Sequence, residues 1–429
     1  MDFAKPHIVH VGALSEGLDA PPHDIDAFRQ KIEPWLAAIF QSEHLSLLVG
    51  NGFSTGVAFE AQVSAASMSA ATFGQPEDAA VNKHAAAAAK AGGRGSANIE
   101  DQLTSAIGLL QGLEILGDPR AAAWKLAIDA KFKGLIEEVL RAEREIKANL
   151  GKARVPNDPD PKEYLTSFLM SFASRAASRE RLHVFTTNYD RLVEAGCDAA
   201  GLRVVDRFAG ALEPQFRSSR MQVDLHYTSP GSRAEPRHLE GVVHLTKLHG
   251  SLDWRFADGG LHKTPLAFGA ESTALPADPR ASVVVYPNSA KDVETAAWPY
   301  ADLFRDFSSA LCRPNSVLVA YGYGFGDSHV NRVIADMLTL PSTHLVIIAW
   351  GDAPHERVAS FLQKAGHKQQ VTLLLGKHFA DLKNLVQHYL PKPAIDPLTL
   401  RMAELVERRG WRKDPAPVPA ATPPAAGMP

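Results

Sequence analysis

One pattern recurs along this chain and constrains its fold more than any other feature: a short apolar run ends abruptly at a small or polar turn. Leu182 to Thr186 is such a run, and it stops at Thr187-Asn188 before a helical segment that is predicted to start near Tyr189. The same shape occurs at 44–54, 242–251 and 316–327. Strand–turn–helix units of this kind are typical of an open parallel sheet, where ligands bind beyond the carboxyl ends of the strands. The sequence therefore predicts four turns around one pocket, with Asn188 and Asp190 facing it.

The remaining segments alternate between strand and helix periodicity, as this fold class requires. Further strands are predicted at 203–206, 282–286, 344–350 and 371–375, and helices at 24–41, 98–113, 121–150, 163–178, 355–365, 379–389 and 397–409. The fold class is α/β, with a Rossmann-like parallel sheet and a helical insertion.

The chain divides into five predicted parts. Residues 1–43 are an extended arm and a helix, 44–57 and 182–392 form the nucleotide-binding sheet domain, 58–181 are a helical insertion, 393–411 a C-terminal helix, and 412–429 a disordered tail. The tail is rich in Pro and Ala, which bury too little apolar area to offset the entropy of ordering.

Composition excludes several classes of protein. The 429 residues are 45% hydrophobic, enough to fill a sizeable core, and the net charge of −3 gives no reason to expect sequence-specific nucleic-acid binding. Only Cys197 and Cys312 occur, so neither a disulfide framework nor a four-cysteine zinc site can be built. No run approaches the ~20 apolar residues of a membrane span. We therefore expect a cytoplasmic protein with no membrane partner.

The first turn, Gly50-Asn51-Gly52-Phe53-Ser54, admits two interpretations. Its glycines can take positive φ and let backbone amides approach a pyrophosphate, while Ser54 adds a hydroxyl donor. Tight packing alone accounts equally well for a Gly-x-Gly turn after a strand. The ordinary dinucleotide fingerprint is also imperfect, because no acidic residue ends a second strand about 20 residues on.

Two other polar residues each have an alternative explanation. His249, followed by Gly250 and Ser251, is free to project into the cleft, yet a lone His more often bonds a loop carbonyl. Asp190 can face the pocket or merely support the start of its helix. The late turn, 322–327, predicts an amide-rich loop and a helix capped by Asp327 or Ser328.

Taken together, the four turns resemble the motifs of the sirtuin (silent information regulator) family over roughly residues 45–340. The Gly50–Ser54 turn resembles its Gly-Ala-Gly-x-Ser phosphate turn, and Thr186–Asp190 resembles its Thr-Gln-Asn-Ile-Asp. His249-Gly250-Ser251 resembles its catalytic His-Gly turn, and 322–327 its late glycine turn. The resemblance implies a sirtuin fold that binds NAD through Gly50, Asn51, Gly52, Phe53, Ser54, Thr187, Gly250, Ser251, Gly322, Tyr323, Gly324, Phe325 and Asp327.

Two departures narrow the resemblance. Protein-deacylating sirtuins hold a structural zinc with two Cys pairs, and this chain has no Cys pair. They also continue after the phosphate turn with Gly-Ile-Pro-Asp-Phe-Arg, where this chain has Gly-Val-Ala-Phe-Glu at 56–60. Asn98-Ile99-Glu100-Asp101 and the Tyr-Gly-Phe-Gly-Asp sequence are instead similar to a branch found in bacterial antiphage defence.

That branch implies an NAD hydrolase, with NAD as substrate and no metal, that depletes NAD during infection. Asn188 would hold a water and a ribose hydroxyl, His249 would be the general base, and Asp190 would orient the carboxamide or stabilise developing charge. The branch also implies homo-oligomers and a HerA-type ATPase partner. The alternatives are an NAD-dependent protein deacylase or ADP-ribosyltransferase, and a non-catalytic NAD-binding scaffold.

Overall fold

A nine-stranded, mostly parallel sheet forms the centre of the structure, a computed structural model. The structure describes residues 2–66, 69–91, 95–219, 225–227, 237–274, 282–284, 298–366 and 368–392. The strands are β1 His7–Val11, β2 Leu14–Leu18, β3 His44–Val49, β4 Leu182–Thr186, β5 Arg203–Val205, β6 Phe208–Ala209, β7 Gln215–Phe216, β8 His226–Tyr227, β9 Arg237–His238, β10 Val242–Lys247, β11 Gly250–Ala257, β12 Gly260–Lys263, β13 Ser282–Val284, β14 Ser316–Tyr321, β15 His344–Ala349 and β16 Val371–Leu375.

The order of the central sheet is β2-β1-β16-β15-β14-β3-β4-β10-β5, and the neighbours from β16 to β5 are parallel. Every residue of β10 and β14 is buried. Apolar runs covered on both faces are typical of parallel strands. The order of the strands reverses between β3 and β14, and such a switch point opens a crevice at the carboxyl ends of the strands. The fold class predicted from the sequence is therefore confirmed.

The helices cover both faces of this sheet and fill the insertion. They are α1 Ile25–Phe40, α2 Asn51–Glu60, α3 Asp78–Ala91, α4 Ile99–Ile115, α5 Arg120–Asn149, α6 Pro161–Ala173, α7 Leu192–Ala199, α8 Tyr300–Leu311, α9 Ser328–Leu338, α10 Asp352–Ala365, α11 Lys377–Ala380 and α12 Leu382–Asn384, with a π-helical turn at Leu385–Tyr389. No helix within the described ranges is both long and apolar enough to cross a membrane.

The insertion has a core of its own, and this core reaches the central turns. Trp124 and Phe132 of α5 are buried in it, and Tyr189 and Leu252 from the sheet region join the same cluster. Helix α4 begins with a complete capping box between Asn98 and Asp101, so its start is fixed by local hydrogen bonds. The insertion is thereby anchored next to the strand ends.

Several elements differ from the sequence-based predictions. The arm contains β1 and β2, which pair antiparallel with each other, and β1 pairs with β16 at the edge of the sheet. Strand β13 does not continue the central sheet; it pairs with β11 in a second sheet of order β13-β11-β12-β7-β6. The predicted helix at 379–389 is divided into α11, α12 and the π-helical turn.

Helix α7 begins at Leu192 rather than near Tyr189, because the Asp190 carboxylate accepts the Leu192 backbone N–H at 3.1 Å and shapes a turn there. The predicted C-terminal helix at 393–411 and tail at 412–429 lie outside the described residues.

Candidate functional site

A cavity of about 410 Å³ lies at the carboxyl ends of β3, β4, β10 and β14. This volume is within the range of small-molecule sites, about 300–1,000 Å³. Its wall contains most of the residues that the sequence singled out: Gly50, Asn51, Gly52, Ser54, Thr187, Asn188, Asp190, His249, Gly322, Tyr323, Gly324 and Asp327. The four predicted turns therefore meet at one place.

Four predicted cofactor-binding residues do not line this cavity. Phe53 is fully buried against Phe168 and Tyr321, and Phe325 packs against Tyr323. Ser251 is fully buried, and Gly250 holds a φ of +88°, which only glycine adopts readily. These residues shape the turns without lining the cavity. The sequence alone could not distinguish this packing role from contact with a ligand.

Three glycines allow the first and last turns to cross. A Cβ added to Gly50 would lie 2.7 Å from the Gly322 oxygen, and one added to Gly52 would lie 2.6 Å from the Gly322 Cα. Gly52 N–H also donates to the Gly322 oxygen at 2.9 Å. Gly322 has a φ of +63°, but neither Gly50, at −111°, nor Gly52 takes a positive φ, so that prediction is wrong for the first turn. Close backbone approach is what requires glycine at both positions.

Helix α2 presents its N-terminus to the cavity, since Asn51 is its first residue and lines the wall. Backbone N–H groups at the start of a helix, together with its dipole, favour anions such as a pyrophosphate. The packing interpretation of the first turn is thus confirmed, whereas anion binding stays a prediction that the position of this helix start favours.

A continuous chain of hydrogen bonds joins Asn188, Ser54 and Asp190, which we call the amide cluster. The Asn188 amide nitrogen donates to the Gly50 carbonyl oxygen at 3.0 Å and to Ser54 Oγ at 2.9 Å. Ser54 Oγ in turn donates to Asp190 Oδ2 at 2.6 Å. Both amide hydrogens of Asn188 are thus used within the protein, and its Oδ1 is the side-chain atom left to accept a hydrogen bond from a ligand.

Asp190 consequently plays two roles at once. One carboxylate oxygen supports the start of α7 and the other orients Ser54. Lys247, only 3% exposed, holds the same turn from the neighbouring strand: its Nζ donates to the Asp190 carbonyl oxygen and lies 3.1 Å from Glu194. The sequence did not single out Lys247, although a lysine at the end of a predicted buried strand was a visible signal.

A second group at the cavity consists of His249, Asp327 and His329, which we call the histidine cluster. His249 Nε2 lies 3.1 Å from His329 Nε2, and the ring centroids are 5.3 Å apart. Both imidazoles are buried, at 3% and 5% exposure. The ligand atoms of all three residues lie within 4.8 Å of one another. His329 was not predicted; it follows Asp327 by two residues at the start of α9.

The late turn that carries Asp327 is held by Tyr323 and Asn331. The Tyr323 hydroxyl lies 3.0 Å from Asn331 Oδ1 and donates to the Asp327 carbonyl oxygen at 3.2 Å, while the Asn331 amide donates to the Phe325 carbonyl oxygen. Burial raises the pKa of Tyr323 well above its ordinary value. The phenol therefore stays protonated and remains a donor at neutral pH.

The insertion supplies another wall, which the sequence did not predict. Val139, Ala142, Glu143 and Ile146 of α5 line the cavity. Glu143 and Arg191 form a buried ion pair, in which Glu143 Oε1 also accepts the Arg191 backbone N–H at 2.8 Å. This contact ties α5 directly to the turn that carries the amide cluster.

Asn98 and Glu100, at the start of α4, line the cavity as well. The Tyr189 hydroxyl donates to Glu100 Oε1 at 2.9 Å, and burial raises the pKa of Tyr189 well above its ordinary value. On the far side, Trp350 and Arg357 complete the wall after β15. Neither was singled out from the sequence, because a Trp after a strand and an Arg in a helix carry no specific signal.

Comparison with known proteins agrees with this architecture. Residues 182–369 match the family model of the SIR2-like domain. A search of the curated proteins finds no match to the chain. The matched stretch contains Asn188, Asp190 and the whole histidine cluster, and SIR2-like domains belong to NAD-dependent enzymes. The domain match and the parallel sheet with its switch-point cavity together support a sirtuin-like assignment for residues 182–369.

Proposed function

We propose that the protein hydrolyses the bond between nicotinamide and ribose in NAD, releasing nicotinamide and ADP-ribose. The observation that carries the proposal is the convergence of the amide cluster and His249 on one cavity at the switch point of the sheet. In the reaction, the water oxygen forms a bond to the ribose C1′ as the C1′–nitrogen bond breaks. Nicotinamide leaves as a neutral molecule with the bonding pair, and one water proton goes to a base.

The residues of the cavity suit such a substrate. The N-terminus of α2 favours the pyrophosphate. The wall also contains the acidic residues Glu100, Glu143, Asp190 and Asp327, of which Glu143 is paired with Arg191 and Asp190 holds Ser54 and the start of α7. Carboxylates placed near the ribose stabilise the positive charge that develops there as the bond breaks. The cavity thus offers groups suited to the negative charge of the pyrophosphate and to the positive charge that develops at the ribose of NAD.

Each of the proposed catalytic residues has a defined task. Asn188 offers Oδ1 as an acceptor for the attacking water or a ribose hydroxyl, because its amide nitrogen is already engaged. His249 takes the proton of the water directly or through a ribose hydroxyl. Asp190 is a positioning residue that fixes Ser54, and through it Asn188.

The biological setting is part of the same proposal and rests on the family resemblance. We propose that NAD cleavage depletes NAD in antiphage defence and that the chain acts as a homo-oligomer with a HerA-type ATPase. Support comes from the Asn98–Asp101 capping box, whose motif resembles the defence branch and whose Asn98 and Glu100 line the cavity. Mass measurement of the purified chain, with and without a co-encoded ATPase, tests the assembly.

Nicotinamide release from NAD by the purified protein tests the reaction. The His249→Ala variant should lose this release, while the control His23→Ala, which removes an exposed histidine outside the cavity, should retain it. Transfer of ADP-ribose or an acyl group to a peptide would favour the transferase or deacylase alternative. NAD that binds and stays intact, alone and with the ATPase, would favour the scaffold.

A further inference from the structure

Two buried imidazoles and one carboxylate meet at the edge of the cavity, and this combination is a metal-ligand set. We propose that His249, Asp327 and His329 bind a divalent transition-metal cation of the zinc class, and that the bound cation blocks NAD cleavage. The first half of the proposal stands on the geometry alone. The second half rests on the proposed function, because it requires His249 to act as the base.

The spacing of the two imidazole nitrogens fits one shared cation. Zinc–nitrogen bonds of about 2.0–2.1 Å place two ligand nitrogens about 2.8–3.4 Å apart when the angle at the metal is roughly 90–110°. The observed Nε2–Nε2 distance is 3.1 Å. A single hydrogen bond between two neutral imidazoles gives a similar distance. The nitrogen spacing alone therefore does not distinguish the two, and the proposal depends on the third group, Asp327, whose carboxylate lies in the same cluster of possible ligand atoms, all within 4.8 Å of one another.

The chemistry of the ligands selects the class of metal. Two imidazoles and one carboxylate suit zinc and its first-row neighbours, whereas magnesium and calcium prefer oxygen ligands alone. His249 and Asp327 line the cavity, so the remaining coordination positions face a space that can hold water. Three protein ligands with an open position are typical of non-structural zinc sites.

The three ligands are held by separate elements that the fold brings together. His249 lies between β10 and β11, while Asp327 is the residue directly before α9, with no capping hydrogen bond from its side chain, and His329 lies in the first turn of α9. The Tyr323 hydroxyl fixes the Asp327 backbone, and the glycine crossing fixes the late turn against the first one. A cation would therefore meet ligands whose backbones are held close together, which lowers the entropic cost of binding.

Occupancy of this site has a direct consequence for the reaction. A cation bound to an imidazole nitrogen uses the lone pair that would otherwise accept a proton. His249 then cannot act as the base. Zinc is therefore expected to inhibit nicotinamide release, and a chelator to restore it.

Metal binding is measured separately from activity. The full chain, freed of metal with a chelator, is titrated with Zn²⁺ against a chromophoric chelator, and with Co²⁺ while visible absorption is recorded. We expect one site per chain in the wild type, at least about 10-fold weaker binding in His329→Gln and in Asp327→Asn, and unchanged binding in the control His23→Gln. Thermal unfolding of each variant without metal checks that the fold is retained.

The outcomes separate the two halves of the proposal. Wild-type binding no tighter than that of folded His329→Gln or Asp327→Asn would overturn the metal site, whatever the activity. Binding that leaves nicotinamide release unchanged would overturn the inhibition alone. A protein that binds zinc at these residues yet never cleaves NAD would sustain the site and contradict the proposed function instead.

Discussion

The two clusters at the cavity are built differently. The amide cluster is a chain of directed hydrogen bonds in which Asn188, Ser54 and Asp190 each have one orientation. The histidine cluster joins three groups that can all gain or lose a proton or bind a cation. Directed bonds suit the positioning of a substrate, whereas titratable groups suit proton transfer. The difference predicts which substitutions affect turnover most.

The largest effect is expected from His249→Ala. Removal of the base should lower the turnover of NAD by about 10²–10⁴-fold, because general-base catalysis typically contributes that much. Nicotinamide release under saturating NAD measures it, with thermal unfolding as the check on folding. Turnover close to that of wild type in a folded variant would remove His249 from the mechanism.

Asn188→Ala should follow closely, with a loss of about 10²–10³-fold. The variant loses the acceptor for water or a ribose hydroxyl, and it leaves Ser54 without one of its partners. The apparent affinity for NAD should weaken together with the turnover. An unchanged rate would mean that the amide cluster supports the turn without taking part in catalysis.

Gly322→Ala tests whether the crossing of the two turns is structural. A Cβ there would lie 2.5 Å from the Phe53 nitrogen at a φ of +63°, so we expect a loss of about 2–4 kcal/mol in the free energy of unfolding. Gly201→Ala is the matched control, because Gly201 has a φ of +69° and nothing within 4 Å of the added Cβ. Its expected cost is about 1–2 kcal/mol, from backbone strain alone. Equal losses of unfolding free energy in the two variants would contradict a stabilising role for the crossing of the two turns.

Ser54→Ala should have the smallest effect, roughly a 10-fold loss of turnover. It removes the link between Asn188 and Asp190, a contribution of about 1–2 kcal/mol for a partly buried hydrogen-bonded group. The loss should be non-additive with Asn188→Ala, since both residues belong to one chain of hydrogen bonds, and additive with His249→Ala. Rate measurements on the two double variants decide this. A loss that is additive with Asn188→Ala but non-additive with His249→Ala would show that the two clusters are not separate units.

Much of this arrangement could be predicted from the sequence, for a physical reason. Parallel strands are buried on both faces and therefore occur as apolar runs in the sequence. Such runs predict β3, β4, β10 and β14. Their polar ends must meet at one edge of the sheet, and this rule alone is enough to place Asn188 and His249 at the cavity.

The remaining features depend on contacts between residues that are distant in the chain. The bond from Ser54 to Asp190 joins positions 136 residues apart, and no local pattern encodes it. His329 was missed because its partner, His249, lies 80 residues earlier. The wall supplied by α5 depends on how the insertion folds back over the sheet, which its own helical periodicity does not specify.

The most direct measurement is a single assay that follows both NAD binding and nicotinamide release, with wild type and His249→Ala in parallel and with the co-encoded ATPase where one exists. We expect both proteins to bind NAD and only the wild type to release nicotinamide. Release at the same rate from both proteins would contradict the assignment of the base. Bound, uncleaved NAD in the wild type under every condition would contradict the hydrolase itself.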